Sequence, residues 1–445
     1  MLSVEDNLLL TQVGPGTPMG NLIRQYWLPI YLSADLPGRD SKPERVRILH
    51  EDLIIFRDTN GQVGLISEFC AHRGASLYWA RNEQNGLRCV YHGWKYDTAG
   101  QCVDMPNEPQ ASNFRDKVKL RSYPCAERNG IVWSYFGPRE LPPPLPDLEF
   151  NVLPQEHMVI RRDLQEINWL QGLEGNIDSS HLSFLHTRLD ENGSADFYGP
   201  PPANRGTYYL DNAPVMEVVH TDSGVMYGAG RREEIGKRYW RVTQFLMPFY
   251  GMFAPVSPAE CPIQWWIPLD DNHVMKWDVR WNPSRPIKEA ERAFLLLPDP
   301  GGWSDRTGDP HTHWRLAASR ENDYLSNYTA QLDKRFSGVP SINLQDKAIL
   351  ESMGHIVNRS REHLGTADAM IIQVRHRLLN AAKRLRDQGE IPPGVDRPGS
   401  YAVRSATAIM DEDANWLEEI SPYIQAFSDL PVWSAEAWQS SGRTP

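Results

Sequence analysis

Four side chains between residues 70 and 92 have the types and spacing to hold metal: Cys70-Ala71-His72 and, sixteen residues further on, Cys89-Val90-Tyr91-His92. Thiolates are soft ligands and imidazoles borderline ones, so two of each can serve more than one kind of centre. Each loop carries one of each, and that alternation favours a two-iron two-sulfur centre in which two His replace two Cys on one iron. The rival is a tetrahedral Cys2His2 zinc site, which tolerates similar spacings but usually groups like ligands.

Ligands need elements to position them, and the chain around these loops reads as antiparallel sheet. Short runs rich in Val, Ile, Leu and Phe start at Arg45 and alternate with turn pairs at Asn60-Gly61, Ala99-Gly100 and Asn129-Gly130. Residues 43–138 therefore form a small all-β domain from which both loops project. Residues 1–42, with VGPGTPMG followed by the apolar NLIRQYWLPIYLS, read as an N-terminal extension with one short helix. Pro142, Pro143, Pro144 and Pro146 cannot continue a ladder, so 139–147 is a linker. Residues 148–445 alternate a helical segment at 166–186, strands from about 207 to 283, and helical spacing at Ile349, Met353 and Ile356 and at Ile371, Val374, Leu378 and Leu385. The chain is thus α+β, the second domain being an antiparallel sheet flanked by helices. An irregular Gly/Pro/Asp stretch at 297–314 is a lid or surface loop.

A second group of chemistry-bearing residues lies at 174–186, EGNIDSSHLSFLH. Asp178 and His181 are three apart and share a face if helical. His181 and His186 are five apart, which on an ideal helix turns them away from each other; a ligand pair at this spacing needs a helix end or a π-bulge between them. Two imidazoles and a carboxylate make the facial triad that leaves positions open on non-haem iron(II) for dioxygen. Two histidines on a helix are otherwise ordinary surface or core residues. A one-electron cluster in the same chain reverses that weighing, because its electrons need a destination.

Cys70, His72, Cys89, His92, the EGNIDSSHLSFLH run, the opening VGPGTPMGNLIRQYW and the segment NLQDKAILESMGHIVNRSREHLGTADA at 343–369 together resemble one family over nearly the whole chain. That family is the Rieske non-haem iron aromatic ring-hydroxylating oxygenases, oxygenase (alpha) component, in the phthalate dioxygenase-like branch. The resemblance implies a Rieske 2Fe-2S cluster with Cys70 and Cys89 on the inner iron and His72 and His92 on the outer one. It implies mononuclear non-haem Fe(II) on His181, His186 and Asp346. Asp178 matches the bridging aspartate, which takes a hydrogen bond from His181 and another from a cluster histidine of an adjacent copy, expected to be His92; this implies a head-to-tail homotrimer. High-potential respiratory Rieske proteins add a disulfide between the cluster loops and a serine near the sulfur. Here Ala75 and Val90 or Tyr91 stand in the cysteine positions and Trp94 follows His92-Gly93. Fewer hydrogen bonds to the cluster imply a potential toward the negative end of the Rieske range.

No dinucleotide fingerprint is present, so a separate reductase must supply electrons; the resemblance implies an NAD(P)H-dependent flavin/iron–sulfur one. Arg205 and Arg241 lie where that branch holds substrate carboxylates, and a guanidinium grips a carboxylate bidentately. An aromatic carboxylate undergoing cis-dihydroxylation is the leading reading, with O-demethylation of a methoxylated aromatic acid as the alternative and a plain Rieske electron carrier as the less favoured one. His311 and His313, in a polar loop, read as exposed residues. Lys and Arg number 46 against 57 Asp and Glu, a net charge of −11, which argues against nucleic acid or an anionic membrane surface as partner. Acids in the first residues and the lack of a long apolar run point to a cytoplasmic protein. Cys102, Cys125 and Cys261, left over from the motif, read as buried thiols rather than a disulfide framework.

Overall fold

The computed structural model describes residues 1–36, 38–109, 111–189, 211–233, 235–255, 260–304 and 314–430. Two helices open the chain, Val4–Thr11 and Pro18–Ile23, each started by a side-chain cap: Ser3 accepts from the Asp6 amide and Thr17 from the Gly20 amide. The sequence leads one to expect a single helix here and an extension up to residue 42. Instead Trp27–Leu32 is a strand, paired antiparallel with Ile131–Tyr135, which in turn pairs with Cys125–Arg128. The reason is that WLPIYL is apolar on both strand faces and is buried along nearly its whole length, so it must be covered on both sides.

Two further antiparallel sheets complete the first unit. One runs Glu44–Ile48, Glu51–Arg57, Val63–Ser67, Ser122–Tyr123; the other runs Arg81–Asn82, Leu87–Arg88, Lys95–Tyr96, Cys102–Asp104. The Asn129-Gly130 hairpin turns with both residues at positive φ, +48° and +76°, the geometry that favours this pair. These two sheets share a small separate core, with Ile54, Phe56 and Ile66 from the first and Leu77, Leu87 and Trp94 from the region of the second among its members. Strand Trp27–Leu32 belongs instead to the main core, together with residues far beyond the proline segment. Trp133 and Trp265 meet there with ring centroids 5.5 Å apart, and the Trp27 indole donates to the Pro143 carbonyl at 2.7 Å. The proline segment therefore lies against a shared core and does not swing between separate ones.

The second unit is an antiparallel sheet in the order Met158–Gln165, Val274–Trp281, Cys261–Pro268, Tyr250–Met252, Lys237–Leu246, Gly224–Arg232, Val215–His220, with Ala406–Asp411 also pairing with Lys237–Leu246. Strand Lys237–Leu246 is buried on both faces. Tyr239 and Phe245 face the main core, while Trp240 and Val242 face a separate cluster around Trp416. Helix Trp169–Ile177 packs on the main-core face, and so closely that a Cβ on Gly172 would lie 1.9 Å from the Trp266 ring. Helix Ala369–Gln388 buries Val374 and Leu378, as its spacing predicts, and ends at Gly389 in the left-handed region, φ +68°. Glu174 ties these two helices, taking hydrogen bonds from Arg375 at 2.6 Å and from Arg359 at 2.8 Å.

Helix Ile342–Ser352 departs from its apolar spacing. Ile349 and Met353 are exposed, Ile356 lies beyond the helix end, and the buried face is Leu344, Gln345, Lys347, Ala348, Leu350 and Glu351. Polar groups can turn inward here because they are partnered, Lys347 with Glu351 and Glu351 with the Tyr324 hydroxyl. No described helix is long and apolar enough to cross a membrane.

Candidate metal centres

The two Cys/His loops have nearly the same backbone. Cys70 donates its amide to the Ala75 carbonyl and accepts from the Gly74 amide; Cys89 donates to Trp94 and accepts from Gly93. Gly74 and Gly93 close these turns at φ +72° and +80°, where a side chain would be strained. Both sulfurs are buried, at 3 % exposure, while the His72 and His92 rings stand at the half-exposed rim with centroids 4.4 Å apart. Burial pushes the Cys89 thiol up despite amide donors from Tyr91 and His92, and the facing Cys70 adds to the rise. Such a pair ionises readily only with a cation between its members. The Nδ1 of His92 is buried with no hydrogen-bond partner. Two buried sulfurs, two rim imidazoles and an inward nitrogen awaiting a partner fit a two-iron cluster with sulfur on the inner iron and nitrogen on the outer.

Two neighbours complete this site: Trp94, which the sequence marks only as standing where serine would, and Tyr96, which the motif reading passes over. Trp94 stacks on the His72 ring, centroids 4.5 Å apart and planes 15° from parallel, and its indole donates to Asn107 at 2.8 Å rather than to a sulfur. The Tyr96 hydroxyl lies 3.2 Å from Cys70 Sγ. In sequence Tyr96 is one more aromatic in a strand, with nothing to mark it. It supplies a donor that the absence of serine at position 94 would not lead one to expect, and donors to cluster sulfur stabilise the more negative, reduced state. Tyr96→Phe is expected to lower the midpoint potential by about 60 mV, one tenfold step for a one-electron couple, as read by redox titration of the visible spectrum.

The second centre is built where helix Trp169–Ile177 stops. Asp178 has left the helix, φ −78° and ψ 134°, so it does not share a helical face with His181 as their spacing implies. Its carboxylate instead folds forward and accepts from the Ser180 amide at 2.8 Å, the His181 amide at 3.1 Å and His181 Nδ1 at 2.9 Å. A single 3₁₀ turn, His181–Ser183, follows, and Phe184 breaks it at φ −123°, ψ −67°. The five-residue spacing is thus folded back by a helix end, and the His181 and His186 rings lie 5.0 Å apart. Asp346 comes from helix Ile342–Ser352, past its first turn. Its Oδ1 is 3.2 Å from His186 Nε2 and 3.7 Å from His181 Nε2.

One ligand atom from each of these three residues lies within 4.8 Å of the others. Burial pushes the Asp346 carboxyl up, but His186 and His181 outweigh it and hold it below the usual range. Burial likewise opposes ionisation of Asp178, and the His181 contact overcomes it. His186 Nδ1 has its own partner, Gln345 Oε1, at 2.7 Å. With both Nδ1 atoms engaged, both Nε2 atoms face the carboxylate. Two imidazole nitrogens and a carboxylate oxygen around one point, with no other His, Cys, Asp or Glu among the described residues drawn into the set, fit a facial triad for iron(II).

Arg241 is 3 % exposed and lies on the helix-facing side of its strand, donating to the Ala254 carbonyl at 2.8 Å. Beside it Tyr227, paired across the sheet with Thr243, donates to the Ile177 carbonyl at 2.8 Å. Arg205, His311 and His313 lie outside the described residues, as does half of the 297–314 stretch, residues 305–313. Cys102 and Cys261 are buried and Cys125 half-buried, and all five cysteines are unpaired thiols.

A β-domain with a mixed Cys/His pocket, joined to a sheet-and-helix domain with a His/His/carboxylate set, defines a class of two-centre iron oxidoreductase. Residues 26–124 match the Rieske [2Fe-2S] domain family and residues 134–428 the LigXa C-terminal domain-like family. The chain is 36 % identical to the 3-chlorobenzoate-3,4-dioxygenase oxygenase subunit of Comamonas testosteroni, over 94 % of this chain and 97 % of that one. It is 34 % identical to the phthalate 4,5-dioxygenase oxygenase subunit of Pseudomonas putida, over 97 % and 98 %. The solved structure of dicamba monooxygenase bound to dicamba shares the fold, with a TM-score of 0.57 at 16 % identity, covering 82 % of this chain and 99 % of that one. The chain belongs to the Rieske non-haem iron oxygenases, as an oxygenase (alpha) component.

Proposed function

We propose that the chain binds a 2Fe-2S cluster through Cys70, His72, Cys89 and His92 and Fe(II) through His181, His186 and Asp346, and that it dihydroxylates an aromatic carboxylate. The observation that carries this reading is the meeting of His181, His186 and Asp346, segments about 160 residues apart in sequence, with Asp178 behind the first imidazole. When bound, the two metal groups supply single-electron transfer and dioxygen activation. The chain's own side chains do the rest: Asp178 and Gln345 hold the ring planes, and buried Arg241, with Arg205, is offered as the grip on the substrate carboxylate. A Rieske electron carrier would have no use for the triad.

Electrons come from a separate NAD(P)H-dependent flavin/iron–sulfur reductase, and hand-off to the iron is between copies of the chain in a homotrimer. Two features support the second point. Among the described residues no hydrogen bond joins the cluster loops to Asp178, whose partners are Ser180 and His181. Exposed apolar side chains also flank both centres: Phe69, Trp79, Val90 and Tyr91 at the cluster tip, and Phe184 and Phe336 by the iron turn. A contact between two unlike apolar patches is head-to-tail, the kind that closes into a ring when the rotation between copies allows it. Five cysteines, none of them in a disulfide, suit the reducing cytoplasm.

The test is a panel of aromatic acids under turnover with reductant and dioxygen. A dihydrodiol from an aromatic acid is the expected product. Formaldehyde from a methoxylated acid would replace this reading by O-demethylation, and peroxide alone from every acid would remove aromatic carboxylates as the substrate class.

A further inference from the structure

The side-chain amide of Gln345 is held at both ends. Its Nε2 donates to the Val339 carbonyl at 3.0 Å, a partner that can only accept, so Oε1 is the end turned to His186. Oε1 lies 2.7 Å from His186 Nδ1, and an amide oxygen likewise only accepts. His186 therefore carries its ring proton on Nδ1, and the lone pair of Nε2 points toward Asp346. Gln345 is 1 % exposed, so water does not compete for either end. On the other ring the same task falls to a carboxylate, Asp178, 2.9 Å from His181 Nδ1. The two imidazoles are thus backed by unlike acceptors, one anionic and one neutral. An anionic acceptor draws harder on the Nδ1 proton and makes its ring the stronger electron donor.

We propose that Gln345 is a positioning residue of the mononuclear centre: it sets the tautomer and ring plane of His186 and, being neutral, keeps that ring the weaker of the two imidazole donors. The inference rests on the reading that His181, His186 and Asp346 hold iron.

The test is competition for Fe(II) between a chromogenic chelator and the full chain, stripped of mononuclear iron but with its cluster absorbance intact. Gln345→Met keeps length and packing but removes the oxygen acceptor, and is expected to weaken Fe(II) binding about tenfold, the low end of what loss of an outer partner costs. Gln345→Glu keeps an acceptor toward Nδ1 and is expected to bind within about threefold of the unsubstituted chain, or tighter. Cluster absorbance and thermal midpoint report that each variant is folded. Unchanged binding in Gln345→Met, or equal weakening in both variants, would overturn the inference and leave the iron site standing. If the unsubstituted chain takes up no Fe(II) that His186→Ala abolishes, the site reading falls and the inference with it.

Discussion

Replacing His186 by alanine is expected to stop product formation, by about three orders of magnitude or more, since a direct ligand should cost well beyond the 10–100-fold of an outer partner. The substitution removes one of the three protein atoms that the described residues bring to the set and strands Asp346, whose Oδ1 lies 3.2 Å from His186 Nε2. What remains, His181 at 3.7 Å and a half-buried carboxylate, is a two-atom site. The cluster loops lie on their own small core, so the cluster spectrum should survive unchanged. Iron analysis beside the visible spectrum checks this: one iron per chain lost, the cluster pair kept. Loss of both together would mean the two sites fold as one and would weaken the assignment of separate roles.

Asp178→Ala should separate reduction of the cluster from oxidation of substrate. Its carboxylate accepts three hydrogen bonds, two of them from His181, so removal frees the turn that carries the imidazole. Product formation is expected to fall about 100-fold, the high end for an outer partner, while chemical reduction of the cluster keeps its rate. Asp178→Asn retains an acceptor for His181 but loses the charge, and should keep Fe(II) while still slowing reoxidation of the cluster by substrate and dioxygen. Stopped-flow absorbance at the cluster bands reads both steps. Coexpression of a His72→Ala chain with a His186→Ala chain adds the subunit question: activity returns in the mixed assembly only if electrons cross between copies.

Local chemistry was the readable part. The alternation of Cys and His, the glycines after each loop and the turn pairs at 60–61, 99–100 and 129–130 are short-range signals, and the backbone follows them. Pairing between distant segments was not readable: nothing in WLPIYL names Ile131–Tyr135 as its neighbour, so the strand reads as part of an extension. Spacing misled at Asp178, where three residues looked like one helical face but span a helix end and a new turn. It misled again in helix Ile342–Ser352, whose exposed Ile349 and Met353 trace an apolar stripe while its buried face is largely polar and hydrogen-bonded. Gln345 and Tyr96 carry no pattern at all. Their importance comes from which atom each one faces, and only the folded chain supplies that.

The most direct test of the two-centre account is a single turnover under ¹⁸O₂. The protein, with its cluster chemically reduced and Fe(II) loaded, is mixed with the best aromatic acid of the panel and the quenched products are weighed by mass spectrometry. The account expects a dihydrodiol with both new oxygens labelled, formed as the cluster reoxidises, and no such product from the His186→Ala chain. Cluster reoxidation with no labelled organic product, or equal yield from the His186→Ala chain, would contradict it.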